Sequence, residues 1–376
     1  MKVLTVVGAR PQFVKAAPVS RVLRAAHTEV VVHTGQHYDE SMSASFFRDL
    51  EMAEPDVNLG VGSASHAAMT AAMLQRLEPV VLEHEPDGVV VYGDTNSTLA
   101  GAVVASKLQY AGGGRPWIAH VEAGLRSFNG RMPEERNRVV ADHLADVLLA
   151  PTPTSMANLA REGLEARAEL VGDVMVDGHA WAADRAAAHL PAVAREHPGY
   201  LLLTMHRAEN VDEPGRLAAW LSALPGDLPV IFPVHPRTRA ILDAGAMELP
   251  PNILPIAPVG FLEMVALEAH ARLVVTDSGG VQKEAYLSGV PCVTLRSETE
   301  WVETVDAGWN RVATDPSIAA TILADPVIME RDMPHPALFG DGRAAQRIVA
   351  ALERHHAQSP GTDGASQLAA REASAS

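Results

Sequence analysis

Residues 1–34 read MKVLTVVGARPQFVKAAPVSRVLRAAHTEVVVHT. Two short runs rich in valine and leucine, VLTVV (3–7) and EVVVHT (29–34), flank the helix-like segment PQFVKAAPVSRVLRAA. Short, continuous apolar runs of this kind suit strands buried on both faces of a parallel sheet. A glycine turn, Gly8-Ala9-Arg10-Pro11, joins the first run to the helix, and Pro11 suits a first helical position.

The rhythm continues outward. GVVVYG (88–93), WIAHV (117–121) and DVLLA (146–150) follow, separated by helix-like segments that include ESMSASFFRDL, MTAAMLQRLEPVVLEHE and STLAGAVVASKLQY. Such alternation is the pattern of a doubly wound α/β domain. It pauses near residue 172 in the alanine-rich VDGHAWAADRAAAHLPAVA, then restarts with LLLTMH (201–206), PVIFPVH (229–235), NILPIAP (252–258), RLVVTD (272–277) and PCVTL (291–295). A chain of 376 residues exceeds what one core usually serves. Two α/β domains are therefore expected, over 1–172 and 173–341, with a small, polar and disordered tail over 357–376.

Composition excludes several functions. The net charge of −16 argues against nucleic-acid binding, which depends on many cationic phosphate contacts. The apolar run at the start is too short for a signal peptide, and no stretch approaches a membrane span. Cys292, the one cysteine, allows no internal disulfide and no cysteine metal site, reads as a core residue, and fits a cytoplasmic address. There is no HExxH, no Walker loop, and no Gly-x-Gly-x-x-Gly after a strand, since GVGSAS (60–65) lacks the third glycine. Neither a metal nor a nicotinamide cofactor is expected.

Ligands of open α/β sheets bind beyond the carboxyl ends of the strands, so the residues after each run carry the chemistry. Arg10 and Lys15 can meet phosphate at a positive helix end. VVTD leads into Ser278-Gly279-Gly280 at a helix start, a ready anion site, with Glu284 one turn further in and better suited to ribose hydroxyls. Other exits deliver Asp94, Glu122, His206 and His235, and Pro133-Glu134-Glu135 opens a helix. Glu134 and Glu135 could serve only the helix dipole, with Glu134 pairing Arg138 at i,i+4. Three carboxylates on neighbouring exits, Asp94, Glu122 and Glu134, should instead repel one another and raise at least one pKa toward an acid/base value.

These residues fall in an ordered set of motifs: GARPQFVKAAP, HTGQHYD, YGDTNSTLAGA, HVEAGLRSFN with MPEE, TMHRAEN, PVHPRT, TDSGGVQKEA and TEWVETV. Together they resemble the non-hydrolysing UDP-N-acetylglucosamine 2-epimerase family over about residues 1–350. The resemblance implies two Rossmann-like doubly wound domains facing a cleft in a glycosyltransferase-B-like arrangement. It also implies UDP held mainly by the second domain, and a final helix (342–356) returning to the first. It implies a homodimer and no cofactor. The reaction implied interconverts UDP-GlcNAc and UDP-ManNAc through elimination of UDP to a glycal. By the same matching, Asp94, Glu122, Glu134 and His206 are the catalytic positions, and Arg10, Lys15, His235, Ser278, Gly279, Gly280 and Glu284 bind substrate. Ala208 and Trp301 stand where many bacterial members carry arginines. Some of those positions, with the stretch matching Gln36 and His37, hold a second, activating substrate molecule there, so hyperbolic kinetics are expected here. The branch acting on UDP-2,3-diacetamido-2,3-dideoxyglucuronate shares these motif versions and is the alternative. A glycosyltransferase of the same fold is a further rival.

Overall fold

A computed structural model describes residues 1–35, 47, 49–243 and 248–359; the side chains of Arg10, Pro214, Pro326 and Met329 lie outside the described set, as do Gln36, His37 and most of the expected 40–50 helix. Two compact units divide the chain. Residues 1–35, Met52–Val174 and 342–359 belong to the first, and Met175–Asp341 with residues 47 and 49–51 to the second. The chain passes from the first unit to the second at 174/175, and a short upstream piece counts with the second unit.

Among the described residues of the first unit, seven strands form one parallel sheet: β1 (Lys2–Val7), β2 (Thr28–His33), β3 (Val57–Asn58), β4 (Gly88–Tyr92), β5 (Trp117–Val121), β6 (Val147–Ala150) and β7 (Ala168–Leu170). Their order is β3-β2-β1-β4-β5-β6-β7. The central strands are inaccessible along nearly their whole length, with β4 and β5 buried at every residue, which is why their sequences are apolar without alternation. In the second unit β8 (Leu201–Thr204), β9 (Val230–Pro233), β10 (Ile253–Ile256), β11 (Leu273–Thr276), β12 (Cys292–Thr294) and β13 (Asn310–Val312) pair in the order β10-β9-β8-β11-β12-β13. Every strand pair in both sheets is parallel.

Both sheets reverse direction of growth once, between β1 and β4 and between β8 and β11. Connections leaving such a pair diverge, so a crevice opens at their carboxyl ends. At the first, a Cβ on Gly8 would stand 2.0 Å from Thr34 Oγ1 and 2.2 Å from Ser97 Oγ. Only glycine lets the β1 exit pass this closely.

The helix Ala344–Gln358 counts with the first unit, starting and ending two residues later than its motif suggested, and lies against the helix Arg10–Ala26. Glu353 meets His27 at 2.7 Å, and Arg354 meets Glu169 at 2.7 Å. Residues 360–376, most of the expected tail, lie outside the described residues. Cys292 is buried on β12, with its thiol pushed up to about 12 by burial.

Burial pushes His179 down to about 4, while its Nε2 keeps a 2.8 Å contact with Ser288 Oγ. The unfolded chain therefore takes up a proton near pH 6.5 that the folded one accepts only near 4. The stability this neutral ring supports is complete above pH 6.5 and lost as pH falls toward 4, by about 3 kcal/mol in all. Denaturant titrations across that window are expected to show a shallower pH slope in His179→Gln than in the parent.

Candidate active site

The first unit gathers its charges around the β1/β4 switch point. Gly8 N–H and Ala9 N–H both donate to Gln12 Oε1, at 2.8 and 3.1 Å, and the Gln12 amide donates to Tyr92 O at 2.8 Å, tying the β1 turn to the end of β4. These loop amides are thus already engaged, and an anion at this helix would meet side chains instead. The Arg10 side chain lies outside the described set. Lys15 forms an ion pair with Glu122. Burial opposes the Lys15 charge, but Glu122 and then Asp94 outweigh it and hold the ammonium above its ordinary value.

Glu122 follows β5 with φ of +70°, left-handed backbone that a glutamate adopts at a cost of about 1–3 kcal/mol. Its side chain is nearly buried, and both its N–H and that of Ala123 donate to Leu149 O, at 3.1 and 3.2 Å. Gly93, at φ +61°, is hemmed by the same pair: a Cβ there would lie 3.2 Å from Glu122 Oε2 and 3.3 Å from Lys15 Nζ. Asp94, the next residue, pairs with Arg138, whose other branch reaches Glu135 at 2.9 Å.

This arrangement corrects the expectation of mutually repelling carboxylates. Asp94 and Glu122 each face a cation. The structural carboxylate of the Pro133 helix is Glu135, which accepts from Ser127 N–H, Ser127 Oγ and Phe128 N–H, all at 3.0 Å, and fixes the β5 exit loop. Arg138 therefore pairs at i,i+3 rather than with Glu134. Glu134 is half-buried and, among the described residues, makes no hydrogen bond or ion pair, leaving its carboxyl available. Beneath this layer runs a buried network that sequence motifs did not single out, His120–Asp142–Arg126–Glu162, with contacts of 2.7 Å at each link.

In the second unit, Asp277 at the end of β11 is fully buried and organises the β8 exit. It accepts from His206 N–H at 3.1 Å, Arg207 N–H at 3.0 Å and Asn210 Nδ2 at 3.1 Å, and lies 3.3 Å from His206 Nδ1. Burial pushes the His206 imidazole down, more than Asp277 raises it, and Arg207 and Arg237 push it further. The exposed His235 ring lies 5.3 Å from that of His206.

Ser278 caps the helix Gly279–Leu287, accepting from Val281 N–H at 3.5 Å. Gly279 and Gly280 stand in its first turn, where N–H groups precede the intrahelical bonds. A Cβ on Gly279 would fall 2.4 Å from Glu300 Oε1. Trp301 braces this turn from below, its Nε1 donating to Gly279 O at 2.9 Å and its ring centroid 4.0 Å from the buried Lys283 ammonium. Glu284 lies beside Glu268, which burial and then the Glu284 charge hold well above the usual carboxylate range. Among the described residues no cluster of three or more His, Cys, Asp or Glu could hold a metal, and no helix is long and apolar enough to cross a membrane.

Two Rossmann-like α/β domains, each with its polar residues at the switch point, place the protein in the GT-B-like class of folds. A family model described as UDP-N-acetylglucosamine 2-epimerase matches residues 21–353, and the chain belongs to that non-hydrolysing family. It is 44% identical over 363 residues to the UDP-2,3-diacetamido-2,3-dideoxy-D-glucuronate 2-epimerase of Pseudomonas aeruginosa, covering 94% of this chain and 100% of that one. It is 48% identical over 319 residues to a UDP-N-acetylglucosamine 2-epimerase homolog of Methanococcus maripaludis, covering 82% and 88%. Among solved structures, that of Methanocaldococcus jannaschii UDP-GlcNAc 2-epimerase in complex with UDP-GlcNAc and UDP superposes with a TM-score of 0.84 at 39% identity, covering 94% of this chain and 100% of that one. The protein is an enzyme of the isomerase type.

Proposed function

We propose that the protein interconverts UDP-GlcNAc and UDP-ManNAc without hydrolysis. The observation that carries this reading is the end-to-end likeness to a relative solved with UDP-GlcNAc and UDP. The C2 proton has no adjacent carbonyl to acidify it, so its removal is coupled to departure of UDP from C1. A base takes the C2 proton, the C–H electrons form the C1–C2 double bond, and the C1–O electrons leave with UDP. The resulting glycal is protonated at C2 on the opposite face as the UDP oxygen rebonds to C1. This requires an acid/base on each face and a firm diphosphate grip.

Glu122 and Glu134 serve the two faces, one held beside a cation and one unpaired, and Asp94 orients or relays. His206, its Nδ1 held 3.3 Å from Asp277, stabilises the departing phosphate. Arg10, Lys15 and His235 contact the phosphates, the Ser278-Gly279-Gly280 turn receives them at a helix N-terminus, and Glu284 takes the ribose hydroxyls. The enzyme works as a cytoplasmic homodimer, does not bind nucleic acid, and needs no cofactor.

A second reading, epimerisation of UDP-2,3-diacetamido-2,3-dideoxyglucuronate, is favoured by the full-length likeness to the Pseudomonas enzyme. Initial rates with each substrate across a concentration series distinguish them. UDP-GlcNAc is expected to turn over hyperbolically, and pure UDP-ManNAc to convert without a lag, because Trp301 is locked onto Gly279 and Lys283. Turnover of the uronate alone would transfer the assignment to the second reading.

A further inference from the structure

We infer that Asp142 is a positioning residue that sets the placement of Glu122, an inference that rests on the acid/base reading of Glu122. Asp142 lies on the helix Pro133–Leu144 and is wholly buried. Its carboxylate grips the segment around Glu122 at three points. Oδ1 meets His120 Nδ1 at 2.7 Å, and Oδ2 accepts from Gly124 N–H at 3.1 Å and from Arg126 Nη1 at 2.7 Å. These partners stand two residues before Glu122, and two and four after it.

What is gripped is strained. Glu122 occupies left-handed backbone at φ +70°, a conformation that persists only where surrounding structure over-determines it. Asp142 supplies that determination from behind the sheet. Burial disfavours its charge, but His120 and then Arg126 outweigh burial and hold it below the ordinary aspartate value, so the grip is ionic at every pH of interest.

The same contact reaches the neighbouring exit. His120 Nε2 lies 2.7 Å from Gly93 O. The ring thus stands between two acceptors, the Asp142 carboxylate and the Gly93 carbonyl. Gly93 immediately precedes Asp94. One buried carboxylate thereby fixes the β5 exit directly and the β4 exit through His120, without itself touching substrate. The carboxylate is eight residues beyond Glu134 on the same helix, so all three acidic positions are tied to one rigid piece.

Asp142→Asn tests this. The amide preserves volume but presents N–H groups to at least one partner that is itself a donor. The expected result is a fall in kcat of about tenfold to a hundredfold, since small displacements of an acid/base cost rates of that order. KM and UDP affinity should stay near the parent values, at temperatures well below the variant's melting point. The decisive comparison is the double variant Asp142→Asn with Glu122→Gln. If Asp142 acts chiefly through Glu122, the combined loss in the double variant falls well short of the product of the two single losses, whereas a role independent of Glu122 makes them multiply. Parent-like kcat in Asp142→Asn, or multiplied losses, overturns the inference. If Asp142→Asn does not fold, His120→Gln carries the same cycle. Glu122→Gln alone separates the two layers: parent-like exchange there refutes the acid/base reading itself, while a slow Glu122→Gln beside a fast Asp142→Asn refutes only the positioning role.

Discussion

Glu122→Gln is expected to slow hydrogen exchange at C2 by about a hundredfold to ten-thousandfold, the span associated with loss of a general acid or base. UDP affinity should be retained. The pairing explains both outcomes. In the parent, the Lys15 ammonium pairs with the Glu122 carboxylate; on the proposed reading it also meets the substrate phosphate, while the carboxylate carries the proton. The amide cannot carry the proton, yet it leaves the Lys15 charge free to meet phosphate. Asp94→Asn and Glu134→Gln are expected to slow exchange too, but with different side effects. Asp94 pairs with Arg138, so its amide should also lower the melting temperature, whereas the unpaired Glu134 should lose rate with little loss of stability. Exchange rates by NMR and melting curves on the same three proteins check this. Parent-like exchange in all three would remove the acid/base assignment.

The second large effect concerns Asp277. Asp277→Ala is expected to destabilise the second unit by about 3–5 kcal/mol and to abolish productive UDP binding. The carboxylate satisfies two backbone N–H groups and the Asn210 amide inside the fold, and Asn210 in turn holds Trp220 Nε1 at 3.1 Å. Removing it takes the acceptor from the His206 and Arg207 N–H groups, leaves Asn210 Nδ2 with Leu295 O alone, and releases the His206 ring. Denaturant unfolding gives the stability loss, and calorimetric UDP titration at low temperature, where the variant is folded, gives the loss of binding. An Asp277→Ala protein that melts with the parent and binds UDP equally well contradicts this account of the β8 exit.

The sheet interiors were legible because buried parallel strands are apolar on both faces, and β1, β4, β8 and β11 announce themselves as valine and leucine runs. The edge strands β3, β7 and β13 were not. They span two or three residues, are partly exposed, and take their conformation from the neighbouring strand rather than from their own composition. At the site, strand exits flagged Asp94, Glu122 and His206. Charge pairing was less accessible. Glu134 and Glu135 are adjacent on one helix, and the 100° turn between them decides which is bound by Ser127, Phe128 and Arg138. Arg138 has a partner 44 residues away, and Asp142 grips residues on a different element. Pairings of that kind depend on how a helix faces a sheet, which spacing along one chain does not encode. Asp277 is the exception: it stands inside the quoted TDSGG motif, and its place at a buried strand end was the available signal.

The central claim is epimerisation by elimination and re-addition with UDP retained. The most direct measurement incubates the parent protein with UDP-GlcNAc alone in heavy water and follows the sugar by NMR. Deuterium at C2 together with a UDP-linked manno product is expected, with no accumulation of free sugar. Release of UDP with free N-acetylmannosamine, or formation of UDP-ManNAc with the original C2 hydrogen retained, would contradict it.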